Sequence, residues 1–385
     1  VANAHHAARS VLLLALLSSA ARAESDVPER EQQLEPERAV PSGPPAFVSN
    51  AVAFAVLGPA VLVDGTLLAA SRSPLFGVFA GIDAVSVGVD LAFLFTNLAR
   101  RDEAPVAPRR LGPKGFSIWH AVSSTRRFYC ARPGVSSCAE FDALPVVPMG
   151  DEINFNPQTD YLGRYLRAEL FPLGWTHVDG PLQGFGIVGG WGVGFSVTNV
   201  TVESPAGSSA PQQVTMTDKQ WDLQAAYRYS FSFNAADPHA GVGYVGIRGG
   251  VAGRVFEVDP TSSVPLPSSN RIYPIVGVDV FVPAYLKYVG IELSASYLVD
   301  PKPGPLEIAA FGDPRDASGG ATGSGFEAEA GLGGTIWGPL GYRLAVRFTS
   351  YADHYFGAGQ RWMFTTQGAA EERYASWMMG LTSSF

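Results

Sequence analysis

Seven charged side chains interrupt runs of small or apolar residues: Arg228, Asp279, Glu292, Glu327, Glu329, Arg343 and Arg347. Carboxylates and guanidiniums in such settings could move protons, hold an ion or neutralise one another. The elements that carry them decide which. Two further motifs suggest chemistry. "GFGIVG" at Gly184–Gly189 and "GVGYVG" at Gly241–Gly246 both spell G-x-G-x-x-G, the fingerprint of a dinucleotide turn. That turn must open a helix. The first copy is followed by the β-branched "GWGVGFSVTNVTV". The second runs into Gly249, Gly250 and Gly253 and is preceded by the turn-like "ADPHA", although Asp259 stands at a tempting distance. The glycines therefore read as one face of a strand, and no nucleotide partner is expected.

"YADHYF" places Asp353 directly beside His354. Neighbours on a strand point to opposite faces, so Asp353 is poorly placed to orient His354. The six histidines are scattered, without an HExxH or CxxC spacing. No metal, cofactor or catalytic residue is assigned. Serines are too numerous to select one as a nucleophile. Cys130 and Cys138, the two cysteines of the chain, flank the turn formers Pro133 and Gly134. In an exported chain they are expected to form a disulfide.

The bulk composition narrows the class. Charged residues make up 16%, against roughly 25% in soluble domains. Glycine, 43 of 385 residues, is enriched over its usual ~7%. The net charge of −8, with no basic block, argues against a nucleic-acid partner. Residues 1–23 have the build of a signal peptide: Arg9, the apolar "VLLLALL" and a terminal "ARA". Residues 24–46 are acidic and rich in Pro and Gln, a disordered periplasmic linker by composition. Residues 47–115 comprise an apolar hairpin, two strands or two helices broken near Pro74, followed by a polar linker.

From residue 116 onward the hydrophobic period is two. In "QWDLQAAYRYSFSF", Trp221, Leu223, Ala225, Tyr227 and Tyr229 alternate with Asp222, Gln224, Ala226, Arg228 and Ser230. The same alternation separates Val278 and Val280 from Asp279, Leu293 from Glu292 and Ser294, Ala328 and Ala330 from Glu327 and Glu329, and Leu344 and Val346 from Arg343 and Arg347. All seven charges thus share the non-apolar face. Strands of about ten to fifteen residues exceed the usual five or six of soluble sheets. Aromatic residues near their ends suit interfacial girdles, and open edges are forbidden in a bilayer. The expectation is an all-β, closed antiparallel transmembrane β-barrel over 116–385, with lipid outside and the seven charges lining the lumen.

The last strand, "YASWMMGLTSSF", is amphipathic and ends at Phe385. It resembles the assembly signal of bacterial outer-membrane β-barrel proteins. That resemblance implies export to the outer membrane and recognition of this strand by the barrel-assembly machinery. Omptin proteases, barrels of similar size, carry an Asp-x-His pair, from which the adjacent Asp353 and His354 depart. Strands are expected near 116–129, 160–171, 183–197, 219–233, 240–258, 270–282, 286–299, 324–337, 339–353 and 373–385. They number ten, or twelve if 47–98 supplies two more. Connections alternate short and long, except that 172–182 is longer than a periplasmic turn should be. Charges of both signs in a narrow barrel should pair, with Glu329 and Arg347 at equal depth. The functional expectation is a narrow or gated channel for small solutes. The alternative is a structural or adhesive envelope barrel, with an enzyme the weaker third reading.

Overall fold

The computed structural model describes residues 112–384, except 148–150, 158–159, 176–179, 202, 205–206, 234–240, 260–265 and 364–365. The expected signal peptide, linker and apolar hairpin, and the terminal Phe385, lie outside the described residues. The strands are β1 (Phe116–Pro133), β2 (Ile153–Phe155), β3 (Tyr161–Leu170), β4 (Phe185–Val200), β5 (Glu203–Ser204), β6 (Gly207–Ser208) and β7 (Gln212–Phe231). They continue as β8 (Gly243–Val258), β9 (Ser269–Tyr285), β10 (Val289–Leu298), β11 (Ala321–Trp337), β12 (Leu340–Phe356) and β13 (Gln367–Ser384). Two short helices, α1 (Cys138–Ala143) and α2 (Pro305–Phe311), lie in the longer connections.

Ten long strands form the ring, each antiparallel to its neighbour. It closes where β13 pairs with β1, from Ser117 opposite Ser384 to Pro133 opposite Gly368. Among the described residues the ring closes with ten strands, the lower of the two expected numbers, β1 being paired on both sides, by β13 and β3. The three-residue β2 extends the sheet beside the upper end of β1, and β5–β6 is a separate small hairpin.

Alternation sets which face is wet. On β7, β10 and β11 the exposed positions are Leu223, Leu293 and Phe326, while Gln224, Glu292 and Gly325 beside them are buried. Leu223, Ile247, Val278 and Leu293 are each about half or more exposed on the outside. Such a band is costly in water and is what a bilayer requires. The molecule is thus a membrane-spanning barrel with a polar interior. Two outward positions on adjacent strands, Arg164 and Val193, are buried.

Neither glycine motif opens an α-helix, and most of each lies in a strand, β8 taking up the second copy at Gly243. Gly184 ends a short 3-10 turn, and β4 runs on from Phe185. A Cβ at Gly190 would lie 2.4 Å from the Tyr165 hydroxyl, and one at Gly194 2.6 Å from the Tyr161 ring. These glycines make room for large side chains in the lumen.

β7 starts at Gln212 rather than near 219, and β12 ends at Phe356 rather than near 353. Polar pairs such as Asn199 opposite Gln213 continue the ladder past the apolar pattern. Hydrophobicity marks where a strand is in lipid, not where its hydrogen bonds stop. The turn between β11 and β12 is two residues, with Gly338 at φ 54°. The overlong 171–184 connection contains two 3-10 turns. Cys130 on β1 and Cys138 at the start of α1 form the expected disulfide, with Cα atoms 6.6 Å apart.

The facing assignment predicts an asymmetry. Leu293→Arg puts a charge on the lipid face of β10 and should cost roughly 2–4 kcal/mol. Ser294→Ala, on the lumen side, should cost well under half of that. Urea unfolding of the lipid-embedded barrel measures both, and equal losses would contradict the assignment.

Candidate functional site

The lumen gathers the charges in two layers. The inner layer, at the end that carries the short turns and the C-terminal strand end, holds all seven residues singled out by alternation. Arg228 on β7 donates from Nε to Asp279 on β9 at 3.0 Å. The two strands are separated by β8, where Gly246 faces both. A Cβ there would lie 2.5 Å from the Asp279 carboxylate and 3.0 Å from the Arg228 stem, so glycine keeps that route open. Arg228 also grips Glu169 of β3 with both terminal nitrogens, at 2.6 and 2.9 Å. Arg167 donates to the same carboxylate at 2.9 Å.

Across the barrel, Glu329 and Arg347 stand opposite each other in the β11–β12 register. Their side chains meet at 2.7 Å. Arg343 bridges Glu329 and Glu292, at 2.5 and 2.7 Å. Glu327 takes a hydrogen bond from Thr349 at 3.2 Å and lies 3.9 Å from Arg347. Arg343 stacks over Trp119 and Arg347 over Tyr165, at 4.3 and 4.5 Å. Aromatic faces here replace some of the hydration that the guanidiniums lose.

The outer layer is more deeply buried. Arg271 on β9 binds Asp353 on β12 through two bonds, 2.9 and 2.7 Å, and Glu372 on β13 at 3.1 Å. Arg127 on β1 donates to Glu372 at 2.6 Å, and Tyr374 adds a third donor at 2.7 Å. Arg254 and Asp218 form a second pair, joined by the Tyr161 hydroxyl. His354, next to Asp353, is exposed on the opposite face while Asp353 is buried against Arg271.

Above this layer, α2 reaches into the lumen. Its Glu307 is 1% exposed and accepts from the hydroxyls of Tyr129 on β1 and Tyr355 on β12, at 2.8 and 3.0 Å. Arg271 lies 3.9 Å away. Phe311 at the end of α2 packs against Tyr355 and Trp362. Around this point two guanidiniums, Arg127 and Arg271, face three carboxylates, Asp353, Glu372 and Glu307. Burial pushes the Glu307 carboxyl up to about 7; Arg271 opposes the shift, and Asp353 and Glu372 add to it.

This raised value has a definite sign. The stability it lends to the seated helix is complete below the ordinary carboxylate range and is lost as pH rises through about 7. The full swing is of order 3 kcal/mol. Chymotrypsin cleavage at the buried Phe311 should therefore increase from pH 6 to 8.5, relative to Glu307→Gln at the same pH. The glutamine keeps an acceptor for the tyrosines and does not titrate. Parallel cleavage curves for the two proteins would dismiss the role of Glu307.

Between the two layers the described residues leave a space of about 20 Å³, lined by Tyr165, Gln224, Arg248, Arg347 and Tyr351 among others. That is room for about one water. Below the inner layer the barrel opens into a vestibule of about 830 Å³. Among the described residues the lumen is thus filled in its middle, packed by α2 and its aromatic cluster toward the outer end, and hollow at the inner end.

Glu169, Arg167, Arg127, Arg271, Glu372, Arg254, Asp218 and Glu307 belong to the network but are not among the residues singled out from the sequence, and Asp353 is weighed there only as a partner for His354. Arg167 and Glu169 alternate with Leu166 and Ala168, a signal hidden because the inner face of β3 also carries Tyr161 and Tyr165. Glu372 falls just before the expected start of the last strand. Glu307 sits on a loop helix and has no periodic signal.

No family model and no curated protein matches the chain. Solved structures with related architecture include the translocator domain of the autotransporter NalP from Neisseria meningitidis, at 8% identity and a TM-score of 0.35, covering 79% of this chain and 98% of that one. A Pseudomonas aeruginosa FadL homologue gives 9% identity and 0.26, over 70% and 90%. Ail of Yersinia pestis gives 7% and 0.22, over 70% and 99%. The even number of antiparallel strands, the closed ring, the apolar exterior and the polar interior give the chain the build of a bacterial outer-membrane β-barrel.

Proposed function

We propose that this protein is a narrow, gated channel for small solutes, exported to the outer membrane and described here in its closed state. The observation that carries the reading is α2: a helix borne by the β10–β11 connection is seated inside the lumen, with its carboxylate held by Tyr129 and Tyr355. A plug on a loop can leave without opening the ring. A hollow vestibule on the other side of the block is what a conduit would need and a solid strut would not. The channel reading assigns no catalytic residue, and it treats Asp353, engaged by Arg271, as part of the ion network. Assembly through β13 by the barrel-assembly machinery is part of the same proposal.

A second reading, a structural or adhesive envelope barrel, draws on the outer half. Tyr129, Phe256, Tyr273, Tyr351, Phe311 and Trp362 pack there in one cluster, as a permanent core would. Planar-bilayer recording separates the two. The channel reading expects small, intermittent conductance steps that become more frequent above pH 7. Silence at every pH and voltage would favour the structural barrel. A large steady current would point to an open porin.

A further inference from the structure

We infer that the vestibule is a binding site for a small organic anion, an acidic oxyanion head carrying an apolar group. Its size falls within the range of small-molecule sites. Five cations line it, Lys114, Arg167, Arg228, Lys287 and Arg343, against two carboxylates, Glu169 and Glu292. Adding Asp279 and Glu329, the partners behind the wall, still leaves a cation in excess. Lys114 and Lys287 are exposed, so they add positive potential without being consumed by the network.

Hydrogen bonding gives the same sign independently. Arg167 Nη2, Arg343 Nε and Trp119 Nε1 are buried donors without an acceptor, on residues that line the cavity. All three residues are more than nine-tenths buried. Glu169, by contrast, has both oxygens engaged. On the residues that line the vestibule, the unmet buried atoms are N–H groups, the unmet Asp279 Oδ1 lying behind the wall, and leaving buried donors unmet is costly. An oxyanion supplies several acceptors and a compensating charge together. A cation would meet the excess of like charge, no spare acceptor on Glu169, and a Glu292 already held through Oε1 by Arg343. The walls beside these donors are aromatic: Trp119, Tyr244 and Phe281. They suit a flat apolar group on the anion, and the site does not depend on whether the barrel conducts.

The test is calorimetric titration of the full chain in phosphatidylcholine nanodiscs with phenyl phosphate. Inorganic phosphate and benzylamine serve as the head-only and opposite-charge probes. One phenyl phosphate should bind per barrel with a Kd below about 1 mM. Phosphate alone should bind more weakly and benzylamine not at all. Arg167→Gln should weaken binding about tenfold, because a charged donor is removed while Glu169 keeps Arg228. Trp119→Phe, which keeps the ring stacking, should weaken it a few-fold. Lys114→Gln with Lys287→Gln, both exposed and harmless to folding, should also weaken it a few-fold. Absence of saturable heat, equal binding of benzylamine, or unchanged affinity in all three variants would overturn the inference. Discs containing phosphatidylglycerol then identify the source of the anion. Competition assigns a lipid headgroup and its absence assigns a soluble anion, and both results uphold the site.

Discussion

Arg271→Met is expected to destabilise the barrel by about 3–5 kcal/mol, among the largest losses for any single side chain here. Arg271 is 1% exposed and touches Asp353, Glu372 and Glu307. Its removal leaves three carboxylates beside a single cation, Arg127, in a site that water reaches poorly. The cost is not the loss of an attractive pair but the stranding of buried charge. An outer pair sets the scale. Arg126 and Asp160 lie 2.7 Å apart on the outside of the barrel, 41% and 29% exposed, and losing that contact should cost under about 1 kcal/mol. Adding Asp353→Asn to Arg271→Met should recover part of the loss, since the neutral amide no longer needs the guanidinium. Urea midpoints of the four proteins give the comparison. If Arg271→Met costs no more than Arg126→Met, the outer layer is not a desolvated network.

The ring and the facing of its strands were legible in the sequence because both depend on one signal, the period-two alternation imposed by lipid outside and polar packing inside. Leu293 between Glu292 and Ser294 shows it in its simplest form. The inner charge layer was legible for the same reason. Arg228 and Asp279 each break an apolar run in phase, and neutralisation of mixed charges needed no tertiary information. The outer layer was not legible. There the inner face carries Tyr161, Tyr273, Tyr351 and Tyr374, which read as apolar in a periodicity analysis and conceal the charges among them. Pairings such as Arg271 with Asp353 join strands far apart in sequence, and their choice of partner follows from barrel closure. Glu307 was out of reach altogether, because a two-turn helix in a loop carries no period long enough to place it.

The largest functional effect is expected from two changes made together. Two obstacles stand in series along the lumen: α2 with the aromatic cluster and outer ion layer on which it is seated, and the inner layer centred on Glu329. In a series path the narrower element limits the current. Replacing Gly304–Gly312 by a flexible Gly-Ser linker removes α2 but leaves Arg343, Arg347 and Glu329 across the bore. Glu329→Gln removes the carboxylate that both arginines share. Like charges are then left side by side, and Arg343 can swing into the vestibule it lines. That change alone still leaves α2 in place. Each single variant should therefore add little conductance, and the combination should raise it by about an order of magnitude or more, well beyond the sum of the two. If removal of α2 alone gives the full current, the inner layer is no barrier and only the loop gates. If the combined variant folds, as judged by its heat-modifiable electrophoretic mobility, and yet stays silent, the interior is a permanent core. The structural reading of the barrel would then replace the channel.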